Sequence, residues 1–366
     1  MKKIVLIFCL FVFTQTIFAF DFGGSTQDLF TLDIKNDGTH DGSHDLCNNL
    51  ESTLWFKTPL DFYGHTNFIV DISFILDSKH GYKPNIFFDI NKFLLKMKIP
   101  LSNSYSCYYS MGRDSFSDIT SYIYNGKIDA LSFSFDLFLF DFSFLGGYTG
   151  LINSRNPEKL YSLKPGMFIG EIKFNFVENS FLKNLLIEGL YIFNNAKPKT
   201  YINIFFNKSL TDKIDLELVS SFQFFTDSNS GIANLSEAKL IYNLLNSSIN
   251  AKLFYTTIKN TYFDTFSLPE GTISSIDYFD VYPATETISA GLNYTYILKN
   301  KNKFLFDIDL FYNLKDGEIK YNGLEYSLDF YIQVTSDINL TFSFGQLFNS
   351  TAQNRFMFDS GVKISY

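Results

Sequence analysis

The feature that most limits the fold is a two-residue alternation of apolar and polar side chains that recurs almost to the C-terminus. Ile172, Phe174 and Phe176 are interleaved with Glu171, Lys173 and Asn175. Phe306, Ile308 and Leu310 are interleaved with Asp307 and Asp309, and Leu324, Tyr326, Leu328 and Phe330 with Glu325, Ser327 and Asp329. Ile338, Leu340, Phe342 and Phe344 repeat the pattern with Asn339, Thr341 and Ser343. Successive side chains on a strand point to opposite faces, so each segment has one apolar and one polar face. No helical period competes, and no apolar run of helix-spanning length follows the first twenty residues.

A soluble sandwich also alternates. Three features argue against it. The segments run for about 10 to 12 residues, where soluble strands have about five or six. Their apolar faces are aromatic, in a chain with 44 Phe and 23 Tyr. Short connections alternate with long ones, as in outer-membrane barrels, whose tilted spans need about 9–11 residues. The expected fold is all-β: a transmembrane, antiparallel up-and-down β-barrel with short periplasmic turns and long extracellular loops. In lipid every backbone N–H and C=O needs an internal partner, and a closed barrel supplies them all.

Strands are expected at 27–35, 49–58, 66–77, 85–99, 104–113, 127–137, 141–149, 166–177 and 184–194. They continue at 200–210, 214–226, 235–244, 247–257, 286–298, 303–313, 323–334, 338–346 and 355–366. That is about 18 strands, with both termini on the periplasmic side. Sixteen is the alternative, because 85–99 changes phase near Lys92 and 27–35 is weak. Long loops are expected at 36–48, 114–126, 150–165, 258–285, 314–322 and 347–354. Sixteen to eighteen strands enclose an aqueous lumen.

Residues 1–19 read as a signal peptide: Lys2 and Lys3, an apolar run from Ile4 to Phe13, and Ala19 before the cut. The remaining 20–366 form a single barrel domain placed in the outer membrane, with membrane lipid around it. Little chain precedes the first strand, so no plug domain is expected. Cys47 and Cys107 are expected to stay unpaired. With 30 Lys+Arg against 38 Asp+Glu, no nucleic-acid partner is expected.

The last strand ends in Gly361, Ile364 and the terminal aromatic Tyr366. It resembles the C-terminal signal of bacterial outer-membrane barrels, which implies recognition by the barrel-assembly machinery. Gly112-Arg113-Asp114-Ser115-Phe116, followed by Asp118, is similar to the Gly-Arg-x-x-Phe stretch of porin-like barrels, with Asp129 a weak echo of the Asp there. In porins this strand end leads into a loop that often folds into the lumen. The resemblance implies a constriction loop carrying Arg113, Asp114, Phe116 and Asp118, and a homotrimer as the usual porin state. The Phe/Asn/Ile/Lys/Tyr-rich composition also resembles outer-membrane proteins of spirochaetes.

Parity places Asp71, Asp136, Glu171, Lys173, Asp215, Glu217, Asp307, Asp309, Glu325 and Asp329 on the pore wall. A surplus of fixed carboxylates raises the local cation concentration, so a weak cation preference is expected. Phe254, Phe311 and Tyr331 share that wall; they either line an apolar path or pack under an inward loop. His40 and His44 lie in an Asp/Gly-rich repeat that offers a weak metal site; a solvated surface loop is the plainer reading, and no metal or cofactor is expected. No His has a nucleophile and orienting partner beside it, so no enzyme is expected. The function expected is passive diffusion of small hydrophilic solutes through a porin-like channel. The alternatives are a selective transporter, for example of hydrophobic solutes, and an adhesin using 150–165 and 258–285.

Overall fold

The computed structural model describes residues 21–36, 43–61, 63–102, 105–149, 166–177, 182–193, 198–225, 231–257, 266–268, 285–298, 301–315, 318–350 and 354–366. Among these are eighteen strands: β1 Asp21–Asn36, β2 Ser43–Pro59, β3 Thr66–Lys79, β4 Asn85–Pro100, β5 Ser106–Ser117, β6 Asn125–Asp136, β7 Phe140–Tyr148, β8 Phe168–Phe176 and β9 Leu185–Phe193. The ring continues with β10 Lys199–Thr211, β11 Ile214–Phe224, β12 Ile232–Asn243, β13 Ser247–Thr256, β14 Thr287–Ile297, β15 Lys303–Lys315, β16 Glu318–Gln333, β17 Ile338–Asn349 and β18 Asn354–Ser365. No helix among the described residues is long and apolar enough to cross a membrane.

Each strand pairs antiparallel with the next, and β1 also pairs with β18, from Ser25↔Ser365 to Asn36↔Asn354. The barrel is therefore closed with eighteen strands, and the sixteen-strand alternative is discarded. Across the seam Arg355 Nη2 lies 2.7 Å from Asp33 Oδ2. The phase change near Lys92 is a bulge: Asp71 faces Lys92 while Ile72 faces Ile90, leaving Asn91 unmatched.

The outer face carries the alternate apolar residues in cross-strand contact. Ring centroids are 4.9 Å apart for Phe133–Phe144, Phe142–Phe174 and Phe344–Phe358. Such pairs contribute about 0.5–1.5 kcal/mol each beyond area burial.

Long and short connections alternate less strictly than the sequence pattern predicts. At the end where β1 begins and β18 ends the connections are short, from 212–213 to 177–184. At the other end only 149–167 and 257–286 are long. The expected loop 314–322 is mostly strand: the β15–β16 ladder runs on to Lys315↔Glu318. The expected loop 36–48 shrinks likewise, since β1 has 16 residues and β2 has 17. At about 3.3 Å per residue such strands are longer than a hydrocarbon core of roughly 30 Å is thick. The loop expected at 114–126 is a β-hairpin: β5 continues to Ser117 and β6 begins at Asn125.

The signal-peptide segment and His40 lie outside the described residues. Cys47 and Cys107 are free thiols.

Candidate functional site

The β5–β6 hairpin does not stay in the wall. The β4–β5 ladder runs from Pro100↔Ser106 and stops at Phe93↔Arg113. Beyond that point β4 continues against β3 to Asn85, while β5 continues against β6 to Ser117↔Asn125. The hairpin leaves β4 at Gly112, whose φ of 126° suits glycine. A Cβ there would collide with the Phe93 carbonyl oxygen.

The separated hairpin lies within the barrel, and its contacts show where it goes. On one side it leans on β4: Lys127 Nζ is 2.6 Å from both Asp89 Oδ2 and Asn91 Oδ1, and Arg113 Nη1 donates to the Ile90 carbonyl at 3.4 Å. Its tip, 118–124, reaches strands far round the ring. Ile119 N donates to Glu188 Oε2 on β9 at 3.2 Å. Tyr122 OH donates to Glu237 Oε2 on β12 at 2.6 Å, and its ring packs on Phe254 of β13 at 5.1 Å.

Two devices stiffen the hairpin. Arg113, 1% exposed, binds Asp129 through both forks, Nε–Oδ1 at 2.9 Å and Nη2–Oδ2 at 3.1 Å. A bidentate pair of this kind fixes geometry as well as charge. Asp118 closes the tip: it accepts from Thr120 N at 2.9 Å, Ile123 N at 3.1 Å, Tyr124 N at 2.8 Å and the Thr120 hydroxyl. Burial pushes the Asp118 carboxyl up, against the pull of these donors. Burial also pushes the Tyr124 phenol up to about 12. It raises the Tyr122 phenol as well, helped by the Glu237 charge.

The tip is embedded in an apolar cluster that includes Phe116, Ile123, Tyr124, Leu190, Phe254 and Phe311. A piece of the 257–286 connection joins it: Phe266 packs on Tyr201 at 6.0 Å, and Ser267 is held by Gln223 and Tyr201. Of the two alternatives for Phe254, the packed one holds, and Phe311 belongs to the same cluster. Tyr331 lies apart near the other end, 43% exposed.

The carboxylates expected on the wall fall into two groups. Some are buried against cations: Glu171 with Lys173 at 2.6 Å and Asp309 with Lys252 at 3.2 Å. Lys173 also reaches Glu188 at 3.2 Å. Others bond neutral groups: Asp71 with Asn91, Asp215 with Ser209 and Asn243, Glu217 with Asn207, and Asp307 with Asn293. Glu325 is buried, Asp329 faces Ser343, and Asp136 faces Asp141 near a turn. Glu217, Glu237, Lys239, Lys252 and Asp307 surround a cavity of about 390 Å³ directly beside Tyr122.

Arg113, Asp114 and Phe116 are strand residues, with Asp114 held by Lys92 at 2.8 Å. Only Asp118 belongs to the turn proper. Glu188 and Tyr122 escape a reading of the sequence; a lone Glu at inward parity in Leu185–Phe193 is the available signal for the first. On β18, Gly361 packs on Thr341, Ile364 is 44% exposed, and Tyr366 exchanges two backbone bonds with Gly24. His44 stands in β2 opposite Ile34, and among the described residues no cluster of three metal-ligating side chains occurs.

No family model and no curated protein matches this sequence. Solved structures do match the fold. OccK7 (OpdD) of Pseudomonas aeruginosa aligns with a TM-score of 0.61 at 9% identity, over 95% of this chain and 98% of that one. OpdK of the same organism, solved with vanillate, gives 0.63 at 9% identity, over 94% and 98%. OccAB4 of Acinetobacter baumannii gives 0.58 at 9% identity, over 94% and 98%. At such low identity the likeness is one of fold: the chain is a closed, eighteen-stranded, porin-like β-barrel.

Proposed function

We propose that this chain is an outer-membrane channel through which small hydrophilic solutes diffuse passively, with a weak preference for cations. The observation that carries this reading is the β5–β6 hairpin, whose tip crosses the lumen to Glu188 and Glu237. A narrowing built on a rigid hairpin sets the size of what passes, and a polar cavity lies beside its Tyr122. Residues 1–19 serve as a cleaved signal, and the outward Ile364 and Tyr366 present the last strand to the assembly machinery. A homotrimer is the expected state.

The cation preference rests on charge pairing. Lys127, Arg113, Lys173, Lys239, Lys252 and Arg355 each sit on a carboxylate. Asp71, Asp215, Glu217 and Asp307 bond amides or a hydroxyl, so their charge shapes the field in the lumen. Planar-bilayer recordings test both parts. A steady conductance with a cation-leaning reversal potential in a salt gradient is expected, and Glu217→Gln with Asp307→Asn should move the reversal potential toward zero. A folded protein without conductance overturns the channel reading.

A second reading, a channel selective for apolar solutes, is favoured by the apolar cluster around the tip. Liposome uptake of polar against apolar solutes separates the two.

A further inference from the structure

Trp55 is the only tryptophan in the chain, and it faces the lumen, not the lipid. On β2 it stands opposite Gly23 of β1 and Asp71 of β3. It shares the face of Glu51 and Thr53, which meet Ser73 by hydrogen bonds of 2.6 and 2.9 Å. Barrel tryptophans ordinarily belong to the outer interfacial girdles. An inward one in the polar part of the lumen, away from the apolar cluster, needs another reason.

The ring has a seat. A Cβ on Gly23 would come within 2.8 Å of Trp55 Cζ2, 2.9 Å of Cε2 and 3.0 Å of Nε1. The indole therefore covers the bare Gly23 backbone, and any side chain there would displace it. Even so, Trp55 is 39% exposed. It borders a cavity of about 790 Å³ that Ser25, Thr53, Asp71, Asn91, Asp337 and Lys363 also line. Asn91 is itself fixed, donating to Asp71 Oδ1 at 3.0 Å and to Ser73 Oγ at 2.6 Å. The bulge at Asn91 is what turns this amide to the same face as Asp71.

An anchored aromatic surface with convergent hydroxyl, amide and carboxylate groups suits a ligand that has an apolar ring face and a polar rim. A pyranose has both: axial C–H groups to stack on the indole, and equatorial hydroxyls for the carboxylates and amide. Two carboxylates beside one lysine disfavour an anionic aromatic ring. We propose that Trp55, seated on Gly23 and flanked by Asp71 and Asn91, is a stacking site for neutral pyranose sugars at the end of the lumen where β1 begins and β18 ends. The site depends on the channel reading only for the solute's route of access.

Because no other tryptophan is present among 23 tyrosines, fluorescence excited at the red edge of the indole band, where phenols do not absorb, reports this site alone. The refolded full-length chain in detergent is titrated with maltose, with glycerol and benzoate in parallel. A saturable change with maltose alone is expected. Gly23→Ala keeps the fluorophore but pushes the indole off its seat, and it should weaken maltose binding roughly tenfold, the scale of one lost stacking contact. Asp71→Asn leaves the ring in place and should weaken binding less; it serves if Gly23→Ala loses heat-modifiability. A maltose response that is absent or unsaturable, or a saturable response to benzoate or glycerol, overturns the proposal. This titration needs no current, so a barrel that binds maltose but does not conduct would refute the channel and leave the sugar site standing.

Discussion

Two hairpins of this barrel have the same topology and different fates. The β11–β12 hairpin is paired with β10 and β13 on its flanks, and its alternation is unbroken from Ile214↔Tyr242 to Phe224↔Ile232. The β5–β6 hairpin is paired with β4 only as far as Arg113 and then turns into the lumen. Hydrophobic pattern does not separate them, since both have apolar outer residues. What separates them is a glycine at φ 126°, a buried ion pair just beyond it, and a tip whose polar groups find partners on β9 and β12. A wall strand becomes an internal strand when its backbone can turn and its charged side chains have somewhere else to go.

The largest disturbance of this contrast should come from Asp129→Asn. It leaves Arg113 buried without its counter-charge, a loss of about 3–5 kcal/mol when one partner of such a pair is removed. The hairpin should leave its seat, and single-channel conductance should rise while the rest of the barrel remains heat-modifiable. Gly112→Ala ranks next: a positive φ costs about 1–3 kcal/mol, and its Cβ would collide with the Phe93 carbonyl. Conductance should become heterogeneous from channel to channel.

Tyr122→Phe removes one hydrogen bond to a carboxylate, worth about 1.5–3 kcal/mol, and should show as excess current noise with little change in mean conductance. The same phenol gives a pH dependence. Its pKa is raised by burial and by Glu237, so its contribution is complete below the ordinary phenol pKa of about 10 and is lost as pH rises beyond it. Noise should therefore grow above about pH 10 in the wild type and show no such step in Tyr122→Phe. The smallest effect belongs to the other hairpin. Ser220→Ala, which deletes the 2.9 Å contacts of its hydroxyl with Ser236 and with the Asn234 amide, should change stability by about 0.5–1.5 kcal/mol and leave conductance unaltered. A large effect there would remove the contrast.

The wall was legible because its rule is local. Parity along each strand follows from two-residue geometry, so Ile172 and Phe174 turn outward while Lys173 between them meets Glu171 and Glu188 in the lumen. The phase slip at Lys92 was visible for the same reason. Strand ends were less legible, because Glu318–Tyr321 reads as a turn until its ladder to β15 is seen. The inward hairpin was legible only through likeness to porins. Its physical cause is distributed over Ile90, Asp129, Glu188 and Glu237, which no window of sequence contains together. Trp55 sat on the lumen parity, but its seat on Gly23 joins two strands more than thirty residues apart along the chain.

The seam between β1 and β18 has a kinetic consequence. Arg355 and Asp33 are 322 positions apart, so the contact that completes the ring closes nearly the whole chain into one loop. Folding dominated by such distant pairings is slow. Until the last strand docks, the sheet carries two raw edges that any extended peptide could join. The interval before closure is thus the period in which this chain is most exposed to aggregation, and the 2.7 Å bridge between Arg355 and Asp33 is a marker that it has ended.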